Sequence, residues 1–378
     1  MEANSLIQNP QKKQRLNEEH DIDGNSRCLS NLPEEVLLHI LSLLPTKDAA
    51  RTSEVSKRWE YLWASMPNLV FDGSLPAMRT ICFSNLNILT IKDVTFSDEY
   101  LTRQLFSGPP LLEKLDILDC SWGDLKVVTI SAPKLHSLRI HEFQRPKSRN
   151  GDVCRVKIFA ESLKEFYYFG VFSDYCLYKS FSLEKAKIYT YPNPSKQIAH
   201  RMYKLLKGLS NVQFLGLSCA VIKALIYVTE LLHRMPMFKN LMDLKFNGSP
   251  VDLDCTALLT LLQKSPCLRT LNFFGGINLS KDDRVLNSMP PCFLSHLKCI
   301  KVDRFRGDKG ELFAVKTLLK NAIVLDEIVI TCSENFARNS EKQEKVYKEL
   351  IKFPKRSRNC KIVLEQALPG ALTLEKSH

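Results

Sequence analysis

Cysteine and histidine are the residues of this chain whose chemistry could hold a metal ion or carry out nucleophilic catalysis. The chain has 12 cysteines and 8 histidines among 378 residues. The cysteines stand singly, with no C-x-x-C pair and no histidine at the spacing of a metal ligand. His136 and His141 flank a predicted strand without a cysteine and acidic set beside them, so we interpret both as surface or core histidines. The sequence therefore predicts no metal site.

Glycine-rich and serine-centred catalytic motifs are also missing from the sequence. It contains no G-x-x-x-x-G-K-[ST] phosphate loop, no G-x-S-x-G elbow and no dinucleotide fingerprint. Gly275-Gly276 is typical of a turn after a strand. We therefore expect no catalytic residue, no cofactor and no enzymatic activity of the chain's own.

The net charge of +12 raises the question of a nucleic-acid partner. Two segments concentrate it: Lys134 to Lys164 has eight basic and three acidic residues, and Lys352 to Lys361 has five basic and no acidic residues. Neither segment alternates with aromatic residues as a base-stacking surface would. This distribution favours a solvated surface, suited to an acidic partner, over a nucleic-acid site.

Hydrophobic runs bear on whether the chain enters a membrane. Residues 1–27 have no apolar signal core and are predicted to be a disordered leader. The longest apolar run, Leu209 to Leu232, is interrupted by Lys223 and Glu230, which predicts a buried helix rather than a membrane span. Because unpaired cysteines without a secretion signal are typical of reducing compartments, we expect the chain in the cytoplasm, the nucleus or both.

The segment Leu29 to Phe71 has the strongest local pattern. Pro33 suits a first helical turn, and the apolar residues behind it fall at i, i+1, i+4, i+5 and i+8, one wide stripe. Pro45 should end that helix, and Thr46 could cap a second one running to about Val55. A third short helix would carry Trp59, Leu62 and Trp63. Three helices this short have more apolar surface than they can bury among themselves, which predicts a partner.

A second pattern, L-x-x-L-x-L with conservative replacements, recurs from residue 86 to residue 330. Its ten copies begin at Leu86, Leu112, Leu135, Leu163, Leu183, Val212, Leu241, Leu268, Leu297 and Leu325, in steps of 20 to 29 residues. Alternation over L-x-L turns two side chains inward from a strand. Intervening segments such as Thr256 to Lys264 have helical periodicity. The spacing predicts leucine-rich repeats whose strands stack as a parallel sheet. An ordinary α/β domain with similar strands is the alternative.

Two sequence segments resemble the F-box: LPEEVLLHILSLLPTKD and SKRWEYLW. The closing segments FLSHLKCIKVDRFRG and KELIKFPKRSRNCKIVLE resemble the FBD domain that ends plant F-box/leucine-rich-repeat proteins. The resemblance implies an α/β chain: a three-helix F-box, a curved leucine-rich-repeat solenoid of parallel strands plus helices, and a C-terminal FBD cap. The expected domains are a leader over 1–27, an F-box over 28–72, the solenoid over 73–292, the FBD over 293–365 and a flexible tail over 366–378.

The same resemblance implies a function. The F-box would dock a Skp-type adaptor, and through it a cullin–RING ubiquitin ligase, while the solenoid holds an unknown target protein. The implied docking residues are Leu32, Pro33, Leu37, Ile40, Leu44, Val55 and Trp59. The alternatives are a basic solenoid that binds nucleic acid or an acidic partner without ligase chemistry, and a shortened family member without a substrate.

The linker between the F-box segment and the first repeat is shorter than is usual in the family that the chain resembles. Its members usually have several tens of residues between the F-box and the first clear repeat, whereas only about a dozen separate Phe71 from Leu86. The short linker predicts that Leu69, Phe71 and Phe83 cover the open end of the solenoid, beside a first strand near Leu86 to Ile91.

Overall fold

The computed structural model describes residue 29 and residues 32–75, 82–142, 153–170, 173–191, 195–279 and 289–366. The predicted leader and all but the first residue of the predicted tail lie outside these ranges. The helices are α1 (Glu34–Ser42), α2 (Thr46–Arg51), α3 (Glu99–Ser107), α4 (Lys196–Lys207), α5 (Cys219–Leu225), α6 (Thr229–Leu232), α7 (Thr256–Gln263), α8 (Pro291–Ser295), α9 (Lys309–Asn321), α10 (Glu334–Ala337) and α11 (Ser340–Leu350).

The strands fall into three sheets, all of them parallel. They are β1 (Asn68–Asp72), β2 (Ile88–Lys92), β3 (Lys114–Leu118), β4 (Val127–Ser131), β5 (Ser137–His141), β6 (Arg155–Phe159), β7 (Glu165–Gly170), β8 (Asp174–Tyr178), β9 (Lys185–Thr190), β10 (Phe214–Ser218), β11 (Asp243–Asn247), β12 (Val251–Asp252), β13 (Thr270–Phe273), β14 (Ile277–Asn278), β15 (Cys299–Phe305), β16 (Glu327–Cys332) and β17 (Lys361–Glu365).

The main sheet has twelve strands in the order β1-β2-β3-β5-β7-β9-β10-β11-β13-β15-β16-β17. All ten segments with the L-x-x-L-x-L pattern form strands of this sheet, in sequence order, so the predicted repeat architecture is confirmed. The reason is visible at β5. Leu138 and Ile140 are at most 1% exposed, whereas the side chain of Arg139 between them keeps 31% of its surface exposed. Alternation thus gives each strand a core face and a solvent face.

The elements behind the main sheet vary along the chain. Helices follow the strands in the later repeats, where α7 confirms the helix predicted from Thr256. Between β3 and β9 the returning chain instead forms a second sheet, β4-β6-β8. A strand advances about 3.3 Å per residue, whereas a helix advances about 1.5 Å. A strand therefore needs fewer residues than a helix to bring the chain back to the start of the next main-sheet strand, which suits a short repeat. The β-branched run of β4 suits that conformation.

The apolar run Leu209 to Leu232 is not the single buried helix that its composition predicts. It contains β10, α5 and α6 in succession. The run is buried as predicted at most positions because the strand and the helix each turn apolar residues into the core. Continuous hydrophobicity alone does not distinguish a buried strand followed by a helix from one long helix.

The segment before the repeats differs in detail from its prediction. Helix α2 ends at Arg51 and continues as a 3₁₀ turn over Thr52–Glu54, and the third helix is a 3₁₀ turn over Leu62–Ser65. Thr46 makes no cap for α2. The last residues of the segment before the repeats form β1, a strand that the sequence pattern does not predict. This strand pairs in register with β2, so the edge of the sheet lies one strand earlier than expected.

The C-terminal end consists of β15, α9, β16, the short α10, the charged helix α11 and β17, in that order. The loop before β17 is tied back to the preceding repeat. The backbone amide of Arg356 donates to the carbonyl of Leu319 at 3.0 Å, and the hydroxyl of Ser357 donates to the carbonyl of Leu325 at 2.7 Å. These bonds hold the loop so that β17 can extend the sheet beside β16.

Candidate functional site

The seven predicted docking residues differ in exposure. Leu37 is 0% and Trp59 is 5% exposed, so both belong to the core of the chain. Leu32 and Ile40 are half-buried, and Pro33 is exposed. Leu44 is 38% and Val55 is 68% exposed. The apolar stripe read from the sequence is therefore divided between an inner face and an outer face.

Large exposed apolar side chains are concentrated in this N-terminal segment. Val36 is 41%, Leu43 is 73% and Tyr61 is 46% exposed, in addition to Leu44 and Val55. Single apolar residues scattered over a protein surface are ordinary, but several large ones exposed within one short segment are typical of an interaction site. Leu43 and Tyr61 were missed by the sequence analysis because it followed the stripe of one helix and not the turns beside it.

The segment that presents these residues is fixed to the first repeat. The indole of Trp63 packs edge-on against Phe71 and Phe83, with ring centroids 6.2 and 6.1 Å apart. The predicted covering residues Leu69, Phe71 and Phe83 are at most 4% exposed. The guanidinium of Arg58 also donates to the carbonyl of Leu32 at 2.6 Å. The outer apolar face thus rests on one core shared with the repeats.

A second candidate surface lies on the solvent face of the main sheet. The central residue of each strand there stands beside the central residue of the next strand in register. Along β5, β7, β9, β10, β11, β13 and β15, these residues are Arg139, Tyr167, Lys187, Gly216, Lys245, Asn272 and Lys301. A cation therefore stands on every second strand. We call Arg139, Lys187, Lys245 and Lys301 the cation ladder.

Aromatic rings lie between the cations. The guanidinium carbon of Arg139 and the ammonium nitrogens of Lys185 and Lys187 lie 5.9, 5.7 and 5.4 Å from the ring centroid of Tyr167. Burial raises the pKa of the Tyr167 hydroxyl, and a hydrogen bond with this tyrosine raises the pKa of Lys185. Lys185 therefore stays charged beside a neutral ring, an arrangement in which a cation is attracted to the ring face.

A similar arrangement recurs further along the sheet. The ammonium of Lys245 and the guanidinium of Arg304 lie 4.7 and 5.0 Å from the ring centroid of Phe274. Phe274 also lines a cleft of about 730 Å³ at the ends of β15 and β16. Carboxylates of Asp303, Glu334 and Glu365 line the same cleft, so its charge is mixed.

Two family models match the sequence. The F-box domain model matches residues 29–71, and the FBD model matches residues 286–330. A putative F-box/FBD/LRR-repeat protein of Arabidopsis thaliana is 24% identical, over 92% of this chain and 92% of its own length. An F-box/LRR-repeat protein of the same plant is 27% identical over 93% of this chain and 99% of its own length. This chain thus contains segments that match the F-box and FBD models, and most of its length is similar to F-box/LRR-repeat proteins.

The F-box is the most similar part in another relative. A further F-box/LRR-repeat protein of Arabidopsis thaliana is 51% identical over 55 residues, which are 15% of this chain. The exposed apolar residues Val36, Leu43, Leu44, Val55 and Tyr61 all lie within the residues matched by the F-box model. The outer apolar face therefore coincides with the F-box.

Two further observations concern metals and membranes. Within the described ranges, no three histidine, cysteine or acidic side chains are placed to hold a metal ion. The helices found there are all too short or too polar to cross a lipid bilayer.

The sequence analysis missed the cation ladder because it searched for basic residues that are consecutive in sequence. The four ladder residues are 48 to 58 positions apart along the chain. Each nevertheless occupies the same place in its repeat, between the last two apolar residues of L-x-x-L-x-L. Comparing that position between repeats would have revealed the ladder.

Proposed function

We propose that this chain is the substrate-recognition subunit of a Skp–cullin–F-box ubiquitin ligase, without catalytic activity of its own. The observation that carries the proposal is the outer apolar face of the F-box. F-box proteins of this kind generally serve as substrate adaptors, and the names of the relatives suggest the same non-catalytic role. The chain would supply position: it holds a target lysine near a thioester on another subunit and raises its effective concentration.

The proposed adaptor-docking face consists of the exposed predicted residues Pro33, Leu44 and Val55, with Ile40 and Leu32 at its margin. Leu37 and Trp59 belong to the proposed site as its buried part, since they are 0% and 5% exposed. Val36, Leu43 and Tyr61 extend the face. An apolar group of this kind, attached to a rigid core, gains free energy when a partner covers it.

The test is a pair of carboxylates introduced on the exposed part of this face. Leu44→Asp combined with Val55→Asp would bury unpaired charges in the interface, at several kcal/mol in total. We expect co-purification with a Skp-type adaptor to fall by about 100-fold or more, while the unfolding midpoint of the chain changes little, because both residues are exposed. Retained binding by the double variant would overturn the proposed docking face.

The matched control introduces the same charges on exposed apolar residues far from the F-box. Tyr227 is 52% and Ile351 is 49% exposed. The variant Tyr227→Asp with Ile351→Asp should bind the adaptor like the unmodified chain. Equal loss in both variants would indicate a general effect of added charge, and the F-box assignment would then lose its support.

The target is proposed to bind the solenoid, whose main sheet presents a solvent face along twelve strands. We also propose that the chain works in the cytoplasm or the nucleus. The eleven described cysteines are all free thiols. Reducing compartments preserve thiols in this state.

A further inference from the structure

We infer that the cation ladder binds an acidic stretch of polypeptide in the target protein. This inference rests on the proposed receptor function and specifies the chemistry of what the receptor holds. Arg139, Lys187, Lys245 and Lys301 project from one face of one sheet. They reach this alignment from four separate repeats.

The spacing of the ladder is set by the sheet. Neighbouring strands lie about 4.8 Å apart, so cations on alternate strands are about 10 Å apart and the four span about 30 Å. A polyproline II segment repeats every three residues, or about 9 Å. A polypeptide in that conformation with an acidic residue at every third position therefore places one carboxylate near each cation.

The ladder cations are partly compensated at one end and uncompensated at the other. Arg139 lies 3.9 Å from a carboxylate oxygen of Asp116. Lys245 and Lys301 form no ion pair with any other described residue. Their charge is therefore available to a partner, and the stacking of Lys245 on Phe274 holds its position. Pre-positioned charges lose less conformational entropy on binding.

Acidic residues beside the ladder favour a polypeptide over nucleic acid. The row of residues next to the ladder contains Glu165 on β7, Asp243 on β11 and Glu327 on β16. A nucleic acid carries a phosphate at every nucleotide, and these phosphates would be repelled by the carboxylates. A polypeptide can place its acidic side chains over the ladder and neutral ones over this row, which is how interfaces exclude the wrong partner.

The test uses the full-length chain with its adaptor and a labelled peptide of sequence (Glu-Pro-Pro)₅. The variant Lys187→Gln/Lys245→Gln/Lys301→Gln removes three charges while keeping polar side chains. We expect the unmodified chain to bind the peptide in a salt-dependent manner, and the triple variant to bind it at least about tenfold more weakly. The neutral peptide (Gln-Pro-Pro)₅ should bind neither protein.

The matched control removes three exposed lysines outside the solvent face of the sheet: Lys207→Gln/Lys239→Gln/Lys320→Gln. It should bind the acidic peptide like the unmodified chain. Undetectable binding by the unmodified chain, or equal loss in both triple variants, would overturn the inference. So would tighter binding of single-stranded DNA of equal charge that depends on the ladder, because the ligand would then be nucleic acid.

The receptor function and the ladder fail in different ways. Loss of the receptor function appears as no adaptor binding by the unmodified chain, whatever the peptide does. Failure of the ladder appears as unchanged peptide affinity in the triple variant while adaptor binding persists. The ladder and the F-box share no residue. A loss of adaptor binding is therefore distinguishable from a loss of peptide affinity.

Discussion

The hydroxyl oxygen of Thr46 accepts a hydrogen bond of 2.9 Å from the backbone amide of Val70. Thr46 begins helix α2 of the F-box, and Val70 is the central residue of β1, the first strand of the main sheet. An edge strand leaves alternate amides without partners and invites pairing with another chain. The F-box thus supplies the edge strand of the main sheet, and Thr46 satisfies one amide of that strand.

Thr46→Val should destabilise the chain by about 1–2 kcal/mol, because the amide of Val70 would lose its acceptor, the hydroxyl of the buried Thr46. Urea unfolding of the full chain measures the change. Thr46→Ser keeps the oxygen and serves as the control, with a clearly smaller loss. Equal loss in both variants would show that the methyl group, and not the hydrogen bond, matters at this position.

The cover that the F-box gives to the first repeat predicts a pattern of hydrogen exchange. Removing residues 1–72 deletes β1, whose pairing partner is β2. The amides of Leu89 to Ile91 should then exchange much faster, since strand β2 would become the unprotected edge. Removing residues 1–27 alone leaves β1 in place and should change nothing there. Unchanged protection after the longer deletion would mean that the repeats protect their own edge.

A buried carboxylate between the two sheets gives a prediction about alkaline pH. Glu142 accepts hydrogen bonds of 2.6 Å from the hydroxyls of both Tyr168 and Tyr175. Burial, and then the neighbouring Glu142, raise the pKa of Tyr175 well above 10.0. Because the unfolded state loses this proton first, the stability from this group is complete below pH 10 and falls as the pH rises further.

Tyr175→Phe should therefore lower the free energy of unfolding by about 1–3 kcal/mol at pH 7, because Glu142 loses a donor. Above pH 10 the unmodified chain should lose up to about 1.4 kcal/mol per pH unit through this group, and the two stability curves should converge. Urea unfolding between pH 8 and pH 11 measures both effects. Tyr227→Phe, at an exposed position, is the control, and parallel curves for Tyr175→Phe would contradict the assignment.

The cysteines should differ sharply in reactivity. Burial raises the pKa of Cys154 and of Cys292 to about 12, whereas Cys82 is exposed. Since the thiolate is the reactive form, iodoacetamide at neutral pH should modify Cys82 in the folded chain and leave Cys154 and Cys292 unmodified until denaturant is added. Peptide mapping by mass spectrometry distinguishes them. Early modification of Cys292 would indicate that α8 opens in the native state.

Much of the fold is determined by the sequence alone. The L-x-x-L-x-L copies fixed the position and order of ten strands, because alternation of apolar residues specifies which side of each strand must be buried. The F-box sequence motif identified the N-terminal module. Leu69, Phe71 and Phe83 were predicted to cover the first repeat, and all three are buried. These features depend on local pattern, which a single sequence displays directly.

Tertiary structure decided the rest. The periodicity of α1 predicts an apolar stripe but not which of its residues are buried. Packing of α1 against α2 and the 3₁₀ turn over Leu62–Ser65 buries Leu37 and leaves Leu44 exposed. Strand β1 and the role of Thr46 depend on pairing with β2, which begins twenty residues after β1. The cation ladder exists because parallel pairing aligns Arg139, Lys187, Lys245 and Lys301 in one register. Register across a sheet is set by non-local hydrogen bonds and the length of each return segment, and these properties belong to the folded chain.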